Sequence, residues 1–261
     1  NGNATAITID SNENVGIRVT PETIISTYPT LQIGYGGAIA ANTTNPSRFS
    51  IAANSYINAS GNRAYIQTDE ATELWMNAGT YEFRVAASGT ADADITWTTG
   101  FEIRNDGKAR AKNGLLFGTD TAAANTLDDY EEGTWTASIT TDGTDYTTTG
   151  RGTNGSYTKV GRMVHANCNI SINTPTGGSG NVIITGLPFA NGAGWSVSSG
   201  SIGFGRVTLL TDSAGYTCQV ANGATLMNIY YNKYSGINPM PHTAMHNATP
   251  YLAVDISYPV A

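Results

Sequence analysis

Histidines, cysteines and paired acids are the residue types in this chain that could do chemistry, and they are few. His242-Thr243-Ala244-Met245-His246 has the i, i+4 spacing that, on a helix, offers two imidazoles to a zinc ion. Pro239, Pro241 and Pro250 flank the pair, so an exposed loop is expected, and a third ligand would have to come from a symmetry-related chain. Asp69 and Glu70, Asp92 and Asp94, and Asp128 and Asp129 are close acid pairs, the residue type that cuts glycosidic bonds when two carboxyl groups face one another. In turn-rich sequence they read as solvated loop acids. No Gly-x-Ser-x-Gly elbow is present, and neither Cys168 nor Cys218 has a neighbouring base. Gly34-Tyr35-Gly36-Gly37 lacks a following Lys-Ser/Thr and a long helix, so it reads as a turn and not as a phosphate cradle. The expectation is no catalytic residue, no metal site and no cofactor.

Binding residues are easier to nominate. Trp195 follows the Gly-rich loop Asn191-Gly192-Ala193-Gly194, and Tyr230-Tyr231 with Tyr234 cannot all face one core. Aromatic faces stack on the apolar side of a pyranose while amides bind its hydroxyls. The candidate ligand-binding residues are therefore Trp195, Tyr231, Tyr234 and Asn238. For each of them, a role in the core or at a subunit contact is the competing reading.

The elements that must hold these residues are strands. Charged residues are only 13% of the 261, against the usual quarter, while hydrophobic residues reach 40% and glycine 30 positions. Such a chain is soluble through neutral polar groups and is rich in short strands and turns. Thr20-Pro21-Glu22 predicts one short helix with Ile24, Ile25 and Tyr28 on its apolar side. Elsewhere period-2 alternation dominates. Phe49-Ser50-Ile51, Phe83-Arg84-Val85 and Phe101-Glu102-Ile103 each place an aromatic and a β-branched residue on one face, and Asn105-Asp106-Gly107 signals a hairpin turn. Trp135, Ala137 and Ile139 open a strand, Arg162 to Asn173 is the longest, and Tyr251 to Tyr258 alternates cleanly. Cys168 and Cys218 fall on inward positions and are expected to be reduced and buried.

Leu127-Asp128-Asp129-Tyr130-Glu131-Glu132-Gly133 divides the chain into 1–126 and 127–261. Up to Gly133 there are 8 basic and 16 acidic residues; beyond it, 5 and 4. The net charge of −7 and the acidic first part argue against nucleic acid or anionic lipid as partners. No apolar run approaches a membrane span and no signal-peptide pattern opens the chain. The start at Asn1, without methionine, is expected of a fragment or processed product. In residues 1–126 the strands are short and the large apolar residues few, so copies packed around a common axis would share a core and cover each other's edges. The fold expected is all-β: a trimeric interwoven β-rich shaft, then a C-terminal jelly-roll-like β-sandwich.

A family resemblance supports this division. Asn14-Val15-Gly16-Ile17-Arg18-Val19-Thr20-Pro21-Glu22 resembles a phrase common in phage tail fibres, and Leu31-Gln32-Ile33-Gly34 and Gly89 to Trp97 resemble its usual continuation. Asn105 to Lys108 and Gly114 to Gly118 follow. Leu127 to Trp135 is similar to the junction of many phage tail and fibre proteins. Tyr157-Thr158-Lys159-Val160-Gly161-Arg162 and Gly180 to Phe189 are similar to elements of their C-terminal domain. Arg18 and Ala137 depart from that pattern, where the family often has Gly and Pro. The resemblance implies a virion structural protein, homotrimeric, on the particle exterior after assembly in the host cytoplasm. Its implied partners are other virion proteins through a segment upstream of Asn1, and a host-surface glycan or protein. A tail fibre with a receptor-binding tip, a capsid fibre or decoration protein, and a glycan-cleaving spike all remain open at this point.

Overall fold

The computed structural model describes residues 6–119, 121–192, 197–211, 213–234 and 236–260. It is all-β, as alternation and turn content lead one to expect, and it forms two compact units, Asn1–Leu115 and Leu116–Ala261.

In the first unit the strands are β1 (Ile7–Ile9), β2 (Val15–Ile17), β3 (Thr30–Ile33), β4 (Gly37–Ala41), β5 (Phe49–Ala53), β6 (Ser55–Ile57), β7 (Arg63–Tyr65), β8 (Asp69–Asn77), β9 (Thr80–Gly89), β10 (Thr98–Ile103) and β11 (Ala109–Ala111). Nine of them form one sheet in the order β1-β2-β3-β4-β5-β8-β9-β10-β11, and β6 and β7 form a separate hairpin. The Asn-Asp-Gly signal is met: Gly107 takes φ +81 in the turn joining β10 to β11, and its N–H donates to Arg104 O at 2.9 Å. The expected helix after Thr20 does not form. Glu22 N–H donates instead to Gln32 Oε1 at 2.9 Å, and Ile24 is buried and bridges to Asn58, so tertiary partners hold this stretch extended.

The two faces of the nine-stranded sheet have opposite character. One face carries Gln32, Ser50, Glu73, Arg84 and Glu102, separated by Ala38, Ala40 and Ala52. The β6–β7 hairpin and its flanking loops lie on this polar face. From β7, Arg63 pairs with Glu73 at 2.5 Å and donates to Ser50 Oγ at 2.8 Å. Arg84 reaches the other Glu73 oxygen at 3.6 Å, and both guanidiniums stand over the Trp75 ring, at 5.0 and 5.2 Å. Burial pushes the Glu73 carboxyl above its ordinary range, with both arginines opposing.

The other face is apolar and open. Direct cross-strand registers link Ile9 to Val15, Leu31, Ile39, Ile51, Leu74, Phe83, Phe101 and Ala111, one residue from every strand of the sheet. A parallel row runs through Phe49, Met76, Tyr81 and Ile103. Phe83 and Tyr81 are 48% exposed and Ile9 68% exposed.

The second unit contains β12 (Tyr130–Trp135), β13 (Ser138–Thr141), β14 (Gly150–Gly152), β15 (Gly155–Val160), β16 (Met163–Asn173), β17 (Val182–Thr185), β18 (Ser198–Gly205), β19 (Gly215–Val220), β20 (Leu226–Lys233), β21 (Gly236–Pro239) and β22 (Tyr251–Pro259). These form a single sheet along the path β12-β15-β16-β22-β18-β19-β20-β17-β13, with β14 on β16 and β21 on β20. The sandwich is thus one sheet folded over on itself. The strand expected to run from Trp135 to Ile139 is split at Thr136 and buried Ala137, and the two pieces lie at opposite ends of the path. Consecutive residues therefore hold the first and last strands together. Arg151 of β14 strengthens the closure: its Nε donates to Ile139 O of β13 at 3.1 Å while its Nη2 pairs with Asp145 at 2.6 Å. Inside is one core, to which β16 gives Val164, Ala166, Cys168, Ile170 and Ile172, and β22 gives Leu252, Val254, Ile256 and Tyr258. Alternation placed these residues correctly: both cysteines are free and buried.

Candidate functional site

Three of the four sequence candidates meet on one hairpin. β20 and β21 pair antiparallel, so Tyr231 stands directly opposite Asn238. Tyr231 packs one side against the core, and Lys233 Nζ lies 5.3 Å from the centre of its ring. Tyr234 leaves β20 at the turn and is fully exposed. Gly236, at φ +127, supplies a backbone conformation that a side chain would resist. Asn238 Nδ2 donates to Gly236 O at 3.4 Å, which holds the amide beside the turn. The hairpin therefore offers a free aromatic face, an amide and an ammonium together. Trp195, the fourth candidate, lies outside the described residues.

A second polar surface is gathered by strand register and has no local motif in the sequence. Outward residues of β15, β16 and β22 line a depression of about 360 Å³, with Asn154, Ser156, Asn167, Asn169 and Asp255 on its walls. His165 sits beside it. Its Nδ1 is 3.1 Å from Ser257 Oγ and its Nε2 is 3.3 Å from Asp255 Oδ2. Serine, histidine and aspartate in contact suggest acyl transfer, but the setting opposes it. The residues lie on the open side of a strand pair in continuous register, so the neighbouring backbone N–H groups are committed to the ladder and do not form an oxyanion hole. What remains is a set of hydroxyl, amide and carboxylate groups fit for hydrogen bonding. Alternation marks each of them as outward, but the register that gathers them joins residues about ninety positions apart.

The histidine pair occupies a 3₁₀ turn, His242–Met245, and not a helix face. The two rings are edge to face with centroids 5.3 Å apart. His242 Nδ1 lies 3.2 Å from Gly180 O and His246 Nε2 2.9 Å from Gly177 O. A carbonyl only accepts, so both nitrogens carry their protons and pin the turn to the loop before β17. Among the described residues, no three His, Cys, Asp or Glu side chains gather as a metal site.

Four members of the acid pairs, Asp69, Asp92, Asp94 and Asp129, also have structural partners. Asp92 accepts from Tyr56 Oη at 3.0 Å, and Asp94 accepts from Asn58 and Asn62 at 3.1 and 2.8 Å. Burial, with the Asp92 bond next, pushes the Tyr56 phenol up to about 12. Glu22, which sequence reading did not join to this group, feels Asp92 and is raised, mainly by burial. Asp129 pairs with Lys159, whose ammonium also stands 5.6 Å from the Phe189 ring. Asp69 Oδ1 accepts the Glu70 N–H at the start of β8.

No family model matches the chain, and no curated protein matches its sequence. Among solved structures, the crystal structure of the Dettilon tailspike protein is similar over 51% of this chain and 25% of that one, with 14% identity and a TM-score of 0.41. The aligned part is about a quarter of that protein's length.

Proposed function

We propose that this chain is a structural protein of a phage particle, a homotrimeric tail fibre on the virion exterior whose second unit binds the host surface through a glycan without cleaving it. The observation that carries the reading is the β20–β21 hairpin, where fully exposed Tyr234 follows the strand that holds the Tyr231–Asn238 pair, on a folded sheet that hides its own core. A rigid β-scaffold presenting an aromatic and amide tip is suited to recognition. The ordered tail-fibre phrases along the chain support the same reading. Binding without cleavage is favoured because Asp92, Asp94 and Asp129 are engaged with Tyr56, Asn58, Asn62 and Lys159. Modest affinity per site is enough, since a trimer presents three tips and a particle many trimers.

The test is adsorption of the labelled full chain to a panel of bacterial cells, beside Tyr234→Ala and Asn238→Ala. Wild type is expected to bind a subset of strains, with roughly three- to tenfold weaker binding for Tyr234→Ala, the range of one lost stacking contact. Binding that neither substitution alters would refute the hairpin as the site. If the chain adsorbs to no strain that the particle infects, the receptor role fails and a capsid fibre or decoration protein takes its place. Locating the chain on intact particles by cryo-microscopy would separate those two positions directly.

A further inference from the structure

We infer that the open face of the nine-stranded sheet is a self-association surface, covered in the assembled protein by the same face of other copies of this chain. The inference deepens the fibre reading by naming the surface through which copies meet, and its test can fail independently of host binding.

The sheet is built the wrong way round for a free monomer. Its chain-covered face holds Gln32, Glu73 and Arg84, whereas its open face holds Ile51, Phe83 and Phe101. A buried polar face opposite an exposed apolar one is the informative departure from ordinary burial. The extent matters as well. Nine strands about 4.8 Å apart, carrying apolar rows over about 15–20 Å, make a face of roughly 600–800 Å². That exceeds the roughly 300–600 Å² of the largest patch on an ordinary monomer and approaches the ~800 Å² that each partner gives to a standard interface.

Charge selects the occupant. The rows from Ile9 to Ala111 and from Phe49 to Ile103 contain no ionisable group except the Tyr81 phenol. The chain as a whole carries −7, and most of its acids lie in the first part. Two such chains repel wherever their acidic surfaces meet, and this face is where they can approach without like charges opposed. Apart from Glu13 at its rim, beside Val15 and Leu31, it gives a charged foreign partner no complementary group to recognise. Around a shared axis each level would bring like residues together, Leu74 with Leu74 and Phe83 with Phe83, as a closed symmetric assembly requires. Short strands suit that packing: β2 to β5 span three to five residues, or about 10–17 Å, so three such edges enclose a space that one layer of side chains fills.

The experiment is sedimentation equilibrium of the full chain at micromolar concentration, with Phe83→Glu and the uncharged Phe83→Gln beside it. Wild type should sediment as three chains. Phe83→Glu should weaken association at least a hundredfold, Phe83→Gln less, and Thr158→Glu, on the outward face of the second unit, not at all. Circular dichroism of each variant reports whether the strands persist. If Phe83→Glu does not fold, the graded weakening by Phe83→Gln still supports the surface. Were the face free in solution, a charge at half-exposed Phe83 would be harmless. A wild-type monomer, or an assembly indifferent to both Phe83 variants, overturns the inference. A two-chain assembly that Phe83→Glu dissolves supports the surface and refutes the threefold count. A monomer that still adsorbs to cells removes this inference and leaves host binding standing; a trimer that adsorbs to nothing does the reverse.

Discussion

Native alkylation of Cys168 and Cys218 tests the core of the second unit quantitatively. Burial pushes the Cys168 thiol up to about 12, with the Cys218 sulfur adding to the rise, and burial pushes Cys218 up to about 11. Near pH 8 an ordinary thiol of pKa ~8.5 is about one quarter thiolate, whereas thiols at about 12 and 11 are thiolate roughly once in 10⁴ and 10³. Ionisation alone therefore slows attack by about 2,000-fold and about 200-fold. Access slows it further, because Cys218 is 0% exposed and Cys168 4%. Reaction must then pass through opening of the folded sheet. Iodoacetamide at about pH 8, followed by intact mass, should add nothing to the native chain over hours and two groups once denaturant is present. Native alkylation of either residue within tenfold of a free thiol would refute the core as described. Absence of both adducts in denaturant would mean a disulfide.

Two further substitutions probe the same unit. A Cβ on Gly200 would collide with Asp255 O and stand 2.7 Å from Ile256 Cβ and 2.8 Å from Cys218 Sγ, so Gly200→Ala must push β18 off its neighbours. Overpacking of this kind costs about 1–3 kcal/mol, to be read from the denaturant midpoint at unchanged m, and a loss below ~0.5 kcal/mol would count against the packing. Asp142 accepts the Asn181 N–H at 2.6 Å and the Asn181 amide at 3.0 Å, bonds that hold its carboxyl below the usual value. A depressed folded pKa means that its stabilisation is complete above 3.8, the value when unfolded, and is lost as pH falls through the folded value. The thermal midpoint should therefore fall less steeply in Asp142→Asn than in wild type below about pH 4, and equal slopes would exclude the effect.

Much of the fold could be read from alternation because most strands have one wet side and one dry side. Met163–Asn173 and Tyr251–Pro259 were legible nearly to their ends, and the inward places of Cys168 and Cys218 follow from the same rule. Three features were not legible, each for a physical reason. The missing helix after Thr20 depends on Gln32 and Asn58, partners that no local pattern reveals. The break at Thr136–Ala137 sends one apparent strand to both ends of a sheet, and only the folding-over of the whole sheet decides that. In the first unit the alternation of Phe83, Arg84 and Val85 was plain, but which side the chain would cover depended on where β6 and β7 settle. For the candidate hairpin, Tyr231, Tyr234 and Asn238 were close in sequence and their meeting was foreseeable. The depression beside His165 joins residues from β15, β16 and β22, so it had no local signal.

The position of β22 has a consequence for how the second unit comes into being. Tyr251–Pro259 follows every other strand of the unit in sequence, yet it lies between β16 and β18, where it bonds along both edges. A ribosome delivers all the other strands before the one that joins them. Until it emerges, β16 and β18 each present an unpaired edge beside apolar side chains, the condition under which nascent chains associate wrongly or wait on chaperones. The sheet can therefore be completed only after synthesis has passed Pro259. A ribosome stalled a few codons before Tyr251 would hold an open, protease-sensitive sheet, however much of its sequence had already been made.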